Sequence, residues 1–167
     1  IDLRVVREGR DKPIEMKVTR EIIDLKPVKW EVSQGVGIIT VNSFSADATA
    51  DVKAGVTAVE KSLGGKPRGY IIDLRSNPGG LLDEAVGISD LFLERGEIVS
   101  QRGRRKGDID RYFAEPGDVA KGLPVVVLID AGSASASEIV AGALQDQRRA
   151  IVLGERSFGK GSVQTVL

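Results

Sequence analysis

The residues best able to do chemistry lie between Gly132 and Gln164. One group reads Gly132-Ser-Ala-Ser-Ala-Ser-Glu138, and a second reads Gly154-Glu-Arg-Ser-Phe-Gly-Lys-Gly161 with Gln164 shortly after it. Small residues fill the first group until Ile139, Val140, Ala143 and Leu144 recur at helical spacing. The spacing predicts a helix that starts near Ser135, so unpaired backbone N–H groups and a positive dipole end face whatever sits beside that serine. The chain contains no histidine, which excludes a Ser-His-Asp triad, a Cys-His pair and an imidazole zinc ligand. A nucleophilic serine here must draw on a lysine or a carboxylate as its base.

Lys160, flanked by Gly159 and Gly161, is the candidate base. A lysine accepts a proton only when neutral, so the reference pKa of about 10.4 has to fall toward roughly 7 to 8 by burial. The uncharged neighbours permit such a site, and Gln164, four residues beyond Lys160, orients the amine without adding charge. The Ala136 N–H faces the right way for an oxyanion. A glycine of the Gly79-Gly80 pair offers a second donor, because a glycine backbone lets a substrate approach closely. Such a set performs acyl transfer, hence amide or ester hydrolysis.

Each residue also has a plain structural role. Ser135 followed by Glu138 is a capping box, Asn77-Pro-Gly-Gly80 has ordinary turn composition, and a lysine between glycines suits a solvated loop. The cluster Arg102, Arg104, Arg105 and Lys106 reads as a solvated turn, with no interleaved aromatic residues to stack nucleic-acid bases. A chemical rival is a phosphate-binding loop, since Gly154-x4-Gly159-Lys160 follows an apolar strand as the Walker A pattern does. That match lacks the Ser or Thr expected at Gly161, and β-branched Val163, Thr165 and Val166 stand where a helix should begin. A non-catalytic module that holds a peptide by strand addition is a third alternative.

The 167 residues are one domain's length, and 24 Lys plus Arg balance 24 Asp plus Glu. No overall field draws such a chain to nucleic acid or to an anionic membrane. Cysteine is absent, which removes disulfides and thiolate chemistry and leaves the redox compartment open. Neither a signal peptide nor a membrane span is expected. A start at Ile1 and a stop at Leu167 in mid-pattern suggest an excised piece of something longer.

Positioning the candidate residues falls to alternating strands and helices. Residues Ile1 to Arg20 alternate around Glu8-Gly9-Arg10-Asp11 as a β-hairpin, and Glu21 to Val32 reads as a connector or edge strand. Strands are expected at Gly37–Asn42, Gly69–Leu74 and Pro124–Asp130, with weaker ones at Ile98–Gln101 and Ile109–Phe113. Helices are expected at Ala48–Leu63, about Leu82–Arg95, and from Ser135 to Arg148; Ala150–Leu153 and Ser162–Leu167 complete the set as strands. This order predicts an α/β fold, a mainly parallel sheet with crossover helices. A helix of 14 residues spans roughly 21 Å, and the six residues Arg149–Gly154 return about 20 Å. The loop with Lys160 thus comes back to the sheet edge where Ser135 starts. If Gly69–Leu74 is parallel to these strands, the Gly79-Gly80 loop leaves from that same edge, where ligands bind in open α/β sheets.

Four stretches resemble a known family: Asp73-Leu-Arg-Ser-Asn-Pro-Gly-Gly80, Gly132-Ser-Ala-Ser-Ala-Ser-Glu138, Ala141-Gly-Ala-Leu-Gln-Asp146, and Gly154-Glu-Arg-Ser-Phe-Gly-Lys-Gly161 with Gln164. In combination and order they resemble the C-terminal processing peptidases, or tail-specific proteases, which are Ser-Lys serine proteases with a fold related to the crotonase and ClpP type. The resemblance implies Ser135 as nucleophile, Lys160 as general base, Gln164 as the residue orienting it, and an oxyanion hole from Ala136 and a glycine of Gly79-Gly80, with Gly80 favoured. It implies closing strands of a PDZ domain over residues 1–26 and a protease core over 27–167. It implies polypeptide substrates with apolar C-terminal tails, an extracytoplasmic setting in the bacterial periplasm or at a membrane, and no metal, organic cofactor or nucleic acid. A homo-oligomer is one arrangement it allows.

Overall fold

The computed structural model describes residues 1–21, 26–105 and 107–164. The N-terminal hairpin forms as expected, with β1 (Asp2–Val5) antiparallel to β2 (Ile14–Lys17). The core sheet follows. Strand β3 (Val28–Ser33) turns back onto β4 (Val36–Val41) at Gln34-Gly35 and is the antiparallel edge strand. From there the chain alternates: α1 (Ala48–Ser62), β5 (Gly69–Asp73), α2 (Leu82–Asp90), β6 (Glu97–Arg102), β7 (Ile109–Phe113), β8 (Val125–Ile129), α3 (Ala136–Asp146) and β9 (Ile151–Gly154). The five-stranded order is β3-β4-β5-β8-β9, and β4, β5, β8 and β9 are all parallel.

Each crossover in this order steps the same way across the sheet, so crossovers of one hand lay the helices on one face. Burial agrees. Ile39, Ile72 and Val127, in register across three strands, are fully buried, whereas their neighbours Ile38, Ile71 and Val126 on the opposite face are half-buried. The covered face packs with Val52, Val56 and Val59 of α1, Ala85 and Ile88 of α2, and Val140 and Leu144 of α3. Helix α1 sits close because Gly55 leaves room: a Cβ there would stand 3.3 Å from Ile39 Cδ1.

Two expectations are corrected. Helix α2 ends at Asp90 rather than Arg95. Phe92 N and Leu93 N donate to Ser89 O and Asp90 O, tightening the chain into a turn that buries Phe92 and Leu93, while the Asp90 and Glu94 carboxylates accept amides from Glu115, Gly117 and Asp118. The weaker strands β6 and β7 form as expected, and they pair with each other in an antiparallel ribbon separate from the main sheet. Of the last expected strand, Ser162–Gln164 have no regular structure, and residues 165–167 lie outside the described residues.

Candidate active site

Two loops at the carboxyl edge of the sheet are stitched together before any catalytic group is placed. Asp130, just past β8, accepts Ser76 N at 2.8 Å and Gly132 N at 2.9 Å through one oxygen and Ser76 Oγ at 3.1 Å through the other. These hydrogen bonds, the Ser76 amide first, hold its carboxyl below the usual aspartate range against the opposing effect of burial. Ser133, fully buried, donates its hydroxyl to Leu74 O at 2.8 Å. Asn77, also fully buried, donates Nδ2 to Val41 O at 2.7 Å and accepts Gly79 N at 2.9 Å. Its carbonyl takes Ala134 N at 3.0 Å and Ser137 Oγ at 2.9 Å. The Asn-Pro-Gly-Gly turn is therefore fastened directly to the residues flanking Ser135.

Ser135 is the N-cap of α3, with φ 55° and ψ −110°. A non-glycine residue there carries strain of order 1–3 kcal/mol, and such residues persist where surrounding bonds over-determine them. Those bonds are present: Ser135 N donates to Glu138 Oε2 at 2.8 Å, and Glu138 N and Ile139 N both donate to Ser135 O. The tight turn brings Ser135 to the wall of a cleft of about 750 Å³, half-buried itself.

Lys160 also lines this cleft, so the two residues that the sequence pairs share one cleft. Leu82 and Ile139 come from the helices, Val99, Gln101, Asp110 and Tyr112 from the β6–β7 ribbon, and Val163 from the lysine loop. The lining is thus partly apolar and partly polar. Lys160 itself is exposed, so the burial asked of a neutral amine is not supplied within the open cleft.

The oxyanion candidates separate. Gly79 packs against the nucleophile turn, where a Cβ would stand 2.9 Å from Ser135 Cβ and 3.0 Å from Ala136 N, but its N–H is taken by Asn77 Oδ1. Gly80 N and Ala136 N donate to no described residue. Gly80 pairs beside Phe44, and Leu81 N and Phe44 N bond around it, so its own amide is left to point elsewhere. Gln164 is exposed and is not among the residues lining the cleft, although its neighbour Val163 is, and it makes no hydrogen bond to a described residue.

Glu138 is the residue that sequence reasoning undervalued. Read only as a capping partner, its carboxylate also accepts Ser157 Oγ and Gly159 N at 2.8 Å and Lys160 N at 2.9 Å. Burial raises its pKa, yet these bonds with that from Ser135 N outweigh it and hold the carboxyl below the ordinary glutamate range. No local signal marks this role; the cue was the return of the loop to the helix start. The same contacts count against a phosphate loop. The Gly159 and Lys160 amides, which would cradle a phosphate, already hold an anion, and no helix follows over residues 161–164. Among the described residues no cluster of acidic side chains could hold a metal ion.

Comparison with known proteins shows the family to which the chain belongs. The chain is 48% identical over 168 residues to the carboxy-terminal-processing protease of Bartonella bacilliformis, covering all of this chain and 39% of that protein. It is 39% identical over 171 residues to the carboxyl-terminal-processing protease of Synechocystis, covering 99% of this chain and 39% of that protein. The photosystem II D1 C-terminal processing protease superposes with a TM-score of 0.75 at 29% identity, over 97% of this chain and 45% of that one. The chain thus spans about two fifths of the length of these curated relatives. The sequence profile of peptidase family S41 matches residues 35–167, which takes in the whole core sheet past β3 and every candidate residue, and the chain belongs to that family.

Proposed function

We propose that this chain is the catalytic core of a serine endopeptidase that cuts polypeptides near apolar C-terminal tails through a Ser-Lys acyl-enzyme mechanism. Ser135 Oγ attacks the scissile carbonyl carbon while Lys160 Nζ takes its proton. The resulting oxyanion is held by the N–H groups of Ala136 and Gly80, which donate to no described residue. Collapse expels the amine with the proton from Lys160 and leaves an ester on Ser135. Water, deprotonated by Lys160, then releases the new C-terminus. The amine must be neutral at the start, and a peptide filling the cleft supplies the desolvation that the open form lacks. Gln164 orients Lys160 once the cleft is filled.

The observation that carries this reading is that Ser135 and Lys160 line one cleft in a chain without histidine, while the amides of Ala136 and Gly80, in the turns next to Ser135, donate to no described residue. The apolar lining from Leu82, Val99, Ile139 and Val163 suits apolar substrate residues, and an extended peptide fits by strand addition. Residues 1–26 we read as the last strands of a PDZ domain and 27–167 as a crotonase-like protease core, working in the periplasm or at a membrane. Among the described residues, no helix is long and apolar enough to cross a membrane. In the full-length protein, Ser135→Ala and Lys160→Ala each abolish cleavage of tail peptides while the fold persists, and Lys160→Arg is equally inactive because arginine stays protonated. Undiminished turnover by any of these variants refutes the assignment.

A further inference from the structure

We propose that Glu138 is a positioning residue of the catalytic apparatus, clamping the loop that carries Lys160 onto the turn that carries Ser135. This rests on the roles assigned above to Ser135 and Lys160. One oxygen, Oε2, accepts the backbone N–H of both residues, at 2.8 Å from Ser135 and 2.9 Å from Lys160. The other, Oε1, accepts Gly159 N and Ser157 Oγ, each at 2.8 Å. A capping carboxylate requires only the Ser135 contact. The remaining three donors come from a loop 19 to 22 residues further along the chain.

That loop has little else to hold it. Residues 155–161 form no regular element, and most of them are exposed. Apart from the contacts to Glu138, its ties to the rest of the described chain are Glu155 N to Ile129 O at 3.2 Å and Phe158 N to Ser133 O at 3.0 Å. Neither reaches Lys160 itself. The glutamate is therefore what fixes the backbone of the base relative to the backbone of the nucleophile, through a single shared atom.

A carboxylate is suited to this and an amide is not. Its two oxygens offer about four acceptor sites and no donor, matching four converging donors. It also lies at a helix N-terminus, where the dipole favours negative charge. Glutamine replaces one oxygen by a donor NH2, which must face an N–H and lose at least one of the four bonds. Misplacing a catalytic group by about 1 Å costs on the order of 100-fold, so the effect falls on the chemical step and leaves binding largely alone.

The test uses Glu138→Gln in the full-length protein, with steady-state kinetics on a tail peptide and amide hydrogen exchange. The expected result is a fall in kcat of about 10- to 100-fold with KM within about twofold. Exchange at Gly159 and Lys160 accelerates, while exchange at Ala143 and Leu144 within α3 does not change. Ser157→Ala, which removes one donor and leaves the carboxylate, gives a smaller loss of kcat of the same kind. Wild-type kcat and unchanged loop exchange in Glu138→Gln overturn the clamp, even with Ser135→Ala inactive and the Ser-Lys reading intact. An active Ser135→Ala overturns both. If Glu138→Gln does not fold, Ser157→Ala decides: unchanged kcat and unchanged exchange at Gly159 overturn the proposal.

Discussion

Gly79→Ala probes the junction between the Asn-Pro-Gly-Gly turn and the nucleophile. The added Cβ would lie 2.8 Å from Ala134 O, 2.9 Å from Ser135 Cβ and 3.0 Å from Ala136 N, and all three neighbours are backbone or backbone-anchored atoms that cannot swing aside. The site also holds φ at +103°, which an L side chain rarely adopts. Backbone strain of this kind costs about 1–3 kcal/mol, and overpacking a tight site costs a similar amount. A destabilisation of about 2–4 kcal/mol is expected, part of it relieved by pushing the Ser135 turn away. On the proposed mechanism, that relief moves the Ala136 N–H off the position where charge develops, and losing one such donor lowers kcat by roughly 10²- to 10³-fold. Urea titration gives the stability change, and kcat and KM on a tail peptide give the functional one. Gly142→Ala is the matched control, because that glycine lies in α3 with open space where its Cβ would go. It should raise stability by about 0.5–1 kcal/mol with kcat unchanged. A Gly79→Ala protein with wild-type kcat refutes the placement of the anion-stabilising amides beside this turn.

Two further outcomes follow from charges elsewhere. Arg149 and Asp118 form a nearly buried ion pair, Nη2 to Oδ2 at 2.9 Å with side chains 15% and 5% exposed, and Arg149→Met should lower stability by about 3 kcal/mol in urea titration, since it leaves the carboxylate without its opposite charge, held only by the Ala120 and Gly122 amides. Asp73, held low chiefly by the Arg75 hydrogen bond, joins Asp130 and Glu138 in having a depressed carboxyl pKa. A depressed folded value stabilises the fold above the unfolded pKa, and that contribution is lost as pH falls through the folded one. Thermal midpoints should therefore hold steady down to the ordinary carboxylate range and drop only below it; in Asp130→Asn the drop should be shallower.

Much of this architecture was legible because its signals are local. The apolar runs at Gly69–Leu74 and Pro124–Asp130 could only be strands buried on a sheet, and the small residues before Ile139 mark where α3 begins. That Ser135 and Lys160 share a cleft follows from the length of one helix and one returning strand, while the absence of histidine narrows the candidate base only to a lysine or a carboxylate. What escaped depended on contacts distant in sequence. Leu91, Phe92 and Leu93 continue an apolar helical pattern, yet the carboxylates of Asp90 and Glu94 bind a later loop and end α2 early. The β6–β7 ribbon has strand composition, but nothing in it says whether it joins the main sheet. The reach of Glu138 to Lys160 and the exposure of that lysine are likewise set by tertiary placement.

Because Ser135 and Lys160 hang from neighbouring parallel strands in one β8–α3–β9 unit, their encounter closes a loop of about 25 residues, whereas the Gly80 amide arrives from 55 residues upstream. Ring-closure entropy makes the second meeting dearer by roughly 0.7 kcal/mol. During folding the proposed dyad can form first and wait for the proposed anion-binding turn. On that mechanism, a half-folded molecule would hold its reactive pair without the means to stabilise a tetrahedral adduct, and so would be spared from digesting its own unfinished chain.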